Sequence, residues 1–194
     1  MFASVRERRR WVADASFTAR TRFSIERHKS MTWSGLLHSR ASGWTILIRL
    51  LVGLVVFFPE GIQKLVFPAA LGAGRFAAIG IPYPEVMGPF VGVVEIVCGA
   101  LIIAGLFTRL ASVPLLIIMV VAIVSTKIPM WFGHNVWIFH VAKMNRYGFW
   151  SMLHEARTDL CMFVGALYLL IEGAGAWSLD AALSRPVPQA IAAE

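Results

Sequence analysis

Apolar positions gather into four long blocks, at residues 44–67, 86–107, 110–131 and 153–177, separated by shorter polar or Gly/Pro-rich segments. About 20 mostly apolar residues cross a bilayer as a helix, so each block predicts a span. The fourth is the weakest, because its stretch without charge runs only over 160–171. Ser151 as N-cap starts that helix early and leaves Asp159 and Glu172 towards its two ends. The run GLFTRL at 105–110 joins the second and third blocks as a tight antiparallel helical hairpin. Residues 68–85 form a Gly/Pro-rich loop, and residues 132–152 a longer loop carrying Trp137, Phe139, Tyr147, Phe149 and Trp150. Such aromatics favour the membrane–water interface. Four apolar blocks leave too little polar surface for a soluble core. The predicted architecture is an all-α integral membrane four-helix bundle over 44–182, with a basic, flexible arm at 1–43 and a short tail at 183–194.

Composition agrees and localises the charge. The chain is 58% hydrophobic and 15% charged, with a net charge of +7; an ordinary soluble domain is nearer half apolar and one-quarter charged. Residues 1–43 hold nine Lys or Arg and three acids, so the arm carries +6 and the body only +1. That distribution argues against nucleic acid and for a topological anchor that can touch anionic lipid. By the positive-inside rule the arm faces the cytoplasm, four spans return the C-terminus to the same side, and the two long loops face outside. The arm has no apolar run for a signal-peptide core, and no apolar stretch promptly follows its arginines as a twin-arginine signal requires. Its composition also resembles a transit peptide, and a start at Met31 would leave the body unchanged. Cys98 and Cys161 form no disulfide framework and no zinc spacing. Both suit apolar packing, with redox chemistry as the sharper alternative.

Charge within a span is costly unless paired or wet. The first block holds Arg49, Glu60 and Lys64, which fall within about 60° of one another at about 100° per residue. Glu60 and Lys64 form an i,i+4 pair. Arg49 and Lys64 near the two ends can snorkel, whereas Glu60 follows Pro59, which frees a backbone carbonyl one turn earlier. Glu95 stands near the middle of the second block, with Gly88, Gly92 and Gly99 on its side of the wheel. A carboxylate flanked by glycines must face a closely packed helix. It serves either as a buried hydrogen-bonding group or as a proton relay or head-group contact. Lys127, Glu155 and Asp159, with His154 and Arg157, gather towards the outside and could join Glu60 and Lys64 as one polar mouth. His134 and His140 have no third ligand nearby for a metal site, and no phosphate-binding or hydrolase motif occurs.

Two runs carry a family resemblance. IRLLVGLVVFFPEGIQKL at 48–65 resembles the first helix of DoxX-family membrane proteins, with its early Arg and GxxKL ending at Arg49, Gly61, Lys64 and Leu65. VEIVCGALIIAGLFTRLA at 94–111 resembles the family's second segment, on Glu95, Gly99, Gly105, Leu106, Thr108 and Arg109. The ending GAGAWSLD at 173–180 is similar too. The resemblance implies a four-helix protein of the bacterial inner membrane. Some relatives are subunits of quinone-linked thiosulfate oxidation and others belong to oxidative-stress complexes. Such relatives act with partner subunits. Whether this chain is itself part of an enzyme stays open at this point.

Three readings follow. The first is a membrane subunit of a quinone-linked oxidoreductase or oxidative-stress complex, in which quinone is a substrate and no metal or nucleotide is bound. Glu95 would then be the catalytic group, with Arg49, Glu60, Lys64, Arg109, Lys127, Glu155 and Asp159 as polar lining and a redox role for Cys98 or Cys161. The second is a non-enzymatic assembly or anchoring subunit, and the third a small-molecule transporter, which the lack of an internal repeat disfavours. The expected partners are membrane lipid and a membrane or peripheral redox subunit; an oligomer fits all three.

Overall fold

The computed structural model describes residues 42–184, so the predicted arm up to residue 41 and the tail from residue 185 lie outside the described residues. Within them the chain is helical with no strand. The long helices are α1 (Thr45–Val66), α3 (Pro84–Ala104), α4 (Thr108–Phe132) and α5 (Phe149–Glu172). Two short helices, α2 (Ala73–Ala78) and α6 (Leu179–Leu183), lie in the connection before α3 and in the segment after α5.

Among the described residues, α1, α3 and α4 are long and apolar enough to cross a membrane. The fourth block also forms a long helix, of 24 residues. Its opening turns carry His154, Glu155, Arg157 and Asp159, which sets its composition apart from the other three. It begins before Ser151: Gly148 precedes it at φ 118°, with its N–H bonded to the Met130 carbonyl at 3.1 Å. An L-residue rarely adopts that backbone, so glycine sets the boundary rather than a side-chain cap.

The four long helices share one core. Val52 and Val56 of α1, Ile102 of α3, Leu115 of α4, and Met162 and Leu169 of α5 are buried together. Large apolar side chains such as Leu51, Phe90, Ile117 and Val164 instead point outward, as a lipid-facing surface requires. With lipid outside, burying apolar area drives helix association weakly, and close backbone approach matters more.

That approach is built by glycines in pairs. A Cβ at Gly53 would lie 3.2 Å from the Gly99 carbonyl oxygen, and one at Gly99 would lie 3.1 Å from the Gly53 carbonyl oxygen. Gly61 and Gly92 repeat the arrangement at 3.2 and 3.3 Å. On α3 the pair is spaced by seven residues, close to two whole turns. On α1 the spacing is eight, which at about 100° per residue would swing Gly61 about 80° off the contact face. A π-helical turn over Val56–Ile62 absorbs the extra residue. Pro59 lies inside it, and its missing N–H removes the i→i−4 bond that would hold an ordinary α turn there. A second π turn, Ile123–Lys127, interrupts α4 just before Pro129.

Candidate functional site

Glu95 faces α1 between the two glycine pairs and is 1% exposed. Its partner is Lys64, whose Nζ stands 2.8 Å from Oε2 and donates to Oε1 at 3.1 Å. The Oε2 contact is an ion pair without hydrogen-bond geometry, so that oxygen keeps an unused acceptor site. Lys64 also donates to Glu60 twice, to Oε2 at 3.0 Å and to the backbone carbonyl at 3.0 Å. The Lys64 side chain is 12% exposed and that of Glu60 35%. One ammonium therefore bridges a fully buried carboxylate and one that reaches the outer surface of the bundle. The π turn directs this local arrangement, since Glu60 belongs to it and Lys64 follows it by two residues.

Arg49 does not join these groups. About 16 Å of helix rise separates it from Glu60 along α1, at about 1.5 Å per residue. It is not a lipid-facing anchor either, because it is buried. Its Nε donates to the Ile102 carbonyl at 3.0 Å and its Nη2 to the Ile103 carbonyl at 2.8 Å. Nη1 donates to the Ala174 and Trp177 carbonyls at 2.9 and 2.7 Å. The first two belong to the last turn of α3, where the helix dipole favours a cation. Arg49 and Lys64 both reach α3, at Ile102–Ile103 and at Glu95, so they share a face but are held apart by their distance along the helix.

The opposite helix end in the same hairpin has its own counter-charge. Asp180 accepts from the Phe107 N–H at 2.8 Å through Oδ1 and from the Thr108 N–H at 3.2 Å through Oδ2. These are orphan donors at the start of α4, and the carboxylate satisfies them as an N-cap would. Phe107 has φ 48°, an unusual value for a non-glycine residue, which the Asp180 contact secures. Gly105, at φ 70°, ends α3, and a Cβ there would lie 2.6 Å from Arg49 Cζ. Arg109 donates to the Ile171 carbonyl at 3.0 Å, near the end of α5. Arg49, Gly105, Thr108, Arg109 and Asp180 thus form a lock that ties the α3–α4 hairpin to α1 and to the segment after α5. Asp180 was missing from the expected site residues; its signal was the Ser178-Leu179-Asp180 sequence, in which Ser178 caps α6 by accepting from the Ala181 N–H at 3.1 Å.

The expected polar mouth divides into two sets of ion pairs. Lys64 serves Glu60 and Glu95, whereas buried Lys127 at the end of the second π turn pairs with Asp159 of α5 at 3.1 Å. Glu155 is exposed on α5, and Arg157 donates to the His154 carbonyl at 2.6 Å. Cys98 is buried in the core, Cys161 is exposed, and both are free thiols.

The sequence model of the DoxX family matches residues 44–128, from the start of α1 to just past the second π turn. An uncharacterized membrane protein of Mycobacterium tuberculosis (strain ATCC 25618 / H37Rv), Rv3486, is 50% identical over 154 residues, covering 79% of this chain and 90% of that protein. No solved structure matches the chain significantly. The family-model match over residues 44–128, together with 50% identity to a membrane protein over 154 residues, shows that the chain belongs to the DoxX family of membrane proteins.

Proposed function

We propose that the chain is the membrane subunit of a quinone-linked oxidoreductase or oxidative-stress complex, and that Glu95, Lys64 and Glu60 carry protons to and from the lipophilic substrate. The observation that carries this reading is the graded exposure of one bridged triad: Glu95 at 1%, then Lys64, then Glu60 at 35% for its side chain. A carboxylate buried in a span is expensive and marks a proton or head-group site by default. Lys64 can pass a proton to the Glu95 carboxylate and regain one from Glu60. A quinone head group that takes two electrons from a partner redox subunit takes two protons to become quinol, and the bridged triad supports that supply. Electrons come from the partner, since this chain offers no cofactor-binding motif.

The body, 44–182, is read as one transmembrane domain with the basic arm at 1–43 in the cytoplasm, both termini on that side, in a bacterial inner membrane. Reporter fusions at the two ends test the orientation. The function is tested in membranes by comparing quinone reduction in the native chain and in Glu95→Gln, together with identification of the lipophilic compounds and proteins that co-purify. Lost turnover with the protein still folded and a quinone retained by the native chain support the proposal. Unchanged turnover and a stoichiometric protein partner point instead to the assembly and anchoring reading.

A further inference from the structure

The end of the bundle that carries the two long connections has an unusual combination of groups. Residues 128–153 and 67–84 contain no Asp or Glu, although exposed Glu85 and Glu155 follow them, and they hold Arg75, Lys143 and Arg146, all exposed. The two connections meet. The His140 N–H donates to the Ile79 carbonyl at 3.0 Å, and Gly80 lies against the Ile138 carbonyl.

The longer connection is a folded cap. Asn135 Oδ1 accepts from the Val141 N–H at 2.9 Å. Tyr147 Oη accepts from the Met144 N–H and donates to the Ala142 carbonyl, each at 3.2 Å, which closes the chain around Lys143 and Arg146. Where it joins α4 and α5 runs a chain of aromatic rings: Phe132 on Trp131 at 5.5 Å, Trp131 on Phe149 at 6.2 Å, and Phe149 on Trp150 at 5.3 Å. These rings are exposed, Trp150 at 79%, and Trp137 at the tip of the cap is 85% exposed. Exposed indole and phenyl rings beside cations, with no acid among them, match the boundary between acyl chains and head groups. Among the described residues none of the three cations forms an ion pair, and anionic head groups supply the counter-charge that uncharged ones do not.

We infer that this cap is an anionic-phospholipid surface, in which the aromatic rings seat in the head-group region and Arg75, Lys143 and Arg146 bind the phosphates of phosphatidylglycerol-type lipids. This goes beyond the basic arm, which lies elsewhere in the sequence and is a second cationic segment.

Native mass spectrometry of the full chain, with equal phosphatidylglycerol and phosphatidylcholine added, tests it. The native chain should retain phosphatidylglycerol preferentially. Arg75→Gln, Lys143→Gln and Arg146→Gln together should reduce that preference by about fivefold for each cation removed. The arm variant Arg8→Gln, Arg9→Gln, Arg10→Gln, made in the same full chain, should keep most of it. The inference is overturned if the native chain shows no preference or if the cap variant keeps it. It is equally overturned if the arm variant alone abolishes the preference, or if the cap variant sheds a bound protein with its lipid count unchanged.

Discussion

The Lys64 ammonium stands 2.8 Å from Glu95 Oε2 and 3.0 Å from Glu60 Oε2, so one cation serves two acids of different burial. The arrangement is asymmetric. Removing Lys64 strands a fully buried carboxylate, whereas removing Glu95 leaves Lys64 with Glu60.

Lys64→Met should therefore be the most damaging change at the triad, costing about 3–5 kcal/mol as a broken buried pair does. Glu95→Leu should cost clearly less, because Lys64 keeps Glu60. The double variant Lys64→Met with Glu95→Leu should recover much of the loss. Thermal unfolding of the four proteins in one detergent gives the coupling directly. Additive single effects would show that the two side chains do not depend on each other.

The π turn gives a register prediction. Its extra residue returns Gly61 to the face of Gly92. Deleting Phe58 from the turn reduces the spacing of the α1 glycines from eight to seven, the spacing that an ordinary α-helix carries onto one face. Deleting Leu51, which precedes both glycines, preserves their pairing and rotates Arg49 out of the lock instead. Deleting Ile62 changes neither glycine and rotates Lys64 away from Glu95 by about 100°. The Phe58 deletion should keep the α1–α3 contact, as read by crosslinking between cysteines introduced on the two helices. Separately, Gly99→Leu should cost about 1–3 kcal/mol by overpacking, since a Cβ there already meets the Phe57 backbone nitrogen at 3.0 Å.

The lock separates charge from geometry. Arg49 directs four donor contacts from a planar fork at four carbonyls. A lysine ammonium has three donors and no fork. Arg49→Lys should lower stability by about 2 kcal/mol even though the charge is kept, with lost hydrogen bonds to a charged group setting the scale. Asp180→Ala should cost about 1–2 kcal/mol, as the loss of an N-cap does. Amide exchange at Phe107 and Thr108 should rise in Asp180→Ala. Protected amides there would show that another acceptor holds the start of α4.

Much of this architecture was legible in the chain. The three apolar spans follow from block length, and the need of Glu95 for a closely packed neighbour follows from Gly92 and Gly99 on its side of the helix. The identity of that neighbour depends on two local features that periodicity at one fixed angle misses. The π turn keeps Gly61 on the α3 side despite its spacing of eight from Gly53, and Arg49 is separated from Glu60 by height along the helix rather than by face. The lock depends on helix ends meeting in space. Arg49 reads as a snorkelling cation when α1 is considered alone, and only the arrival of the α3 C-terminus and residues 174–177 reveals its carbonyl partners. Asp180 is likewise an ordinary polar residue until the hairpin docks beside it.

Asp159 and Glu155 share one face of α5 by spacing, yet their environments differ. Asp159 pairs with Lys127 at 3.1 Å, and the Lys127 side chain is 7% exposed. Glu155 is exposed, so water or lipid head groups already satisfy it. Asp159→Asn removes the charge that balances a buried ammonium beside the second π turn and should cost about 3 kcal/mol or more. Glu155→Gln touches no such contact and should stay within about 0.5 kcal/mol of the native protein. Lys127→Met added to Asp159→Asn should restore stability, because the stranded charge is then gone. Parallel melting curves of the native chain and these three variants decide the matter. Equal destabilisation by Asp159→Asn and Glu155→Gln would mean that net charge on α5, rather than the pair with Lys127, holds this helix in place.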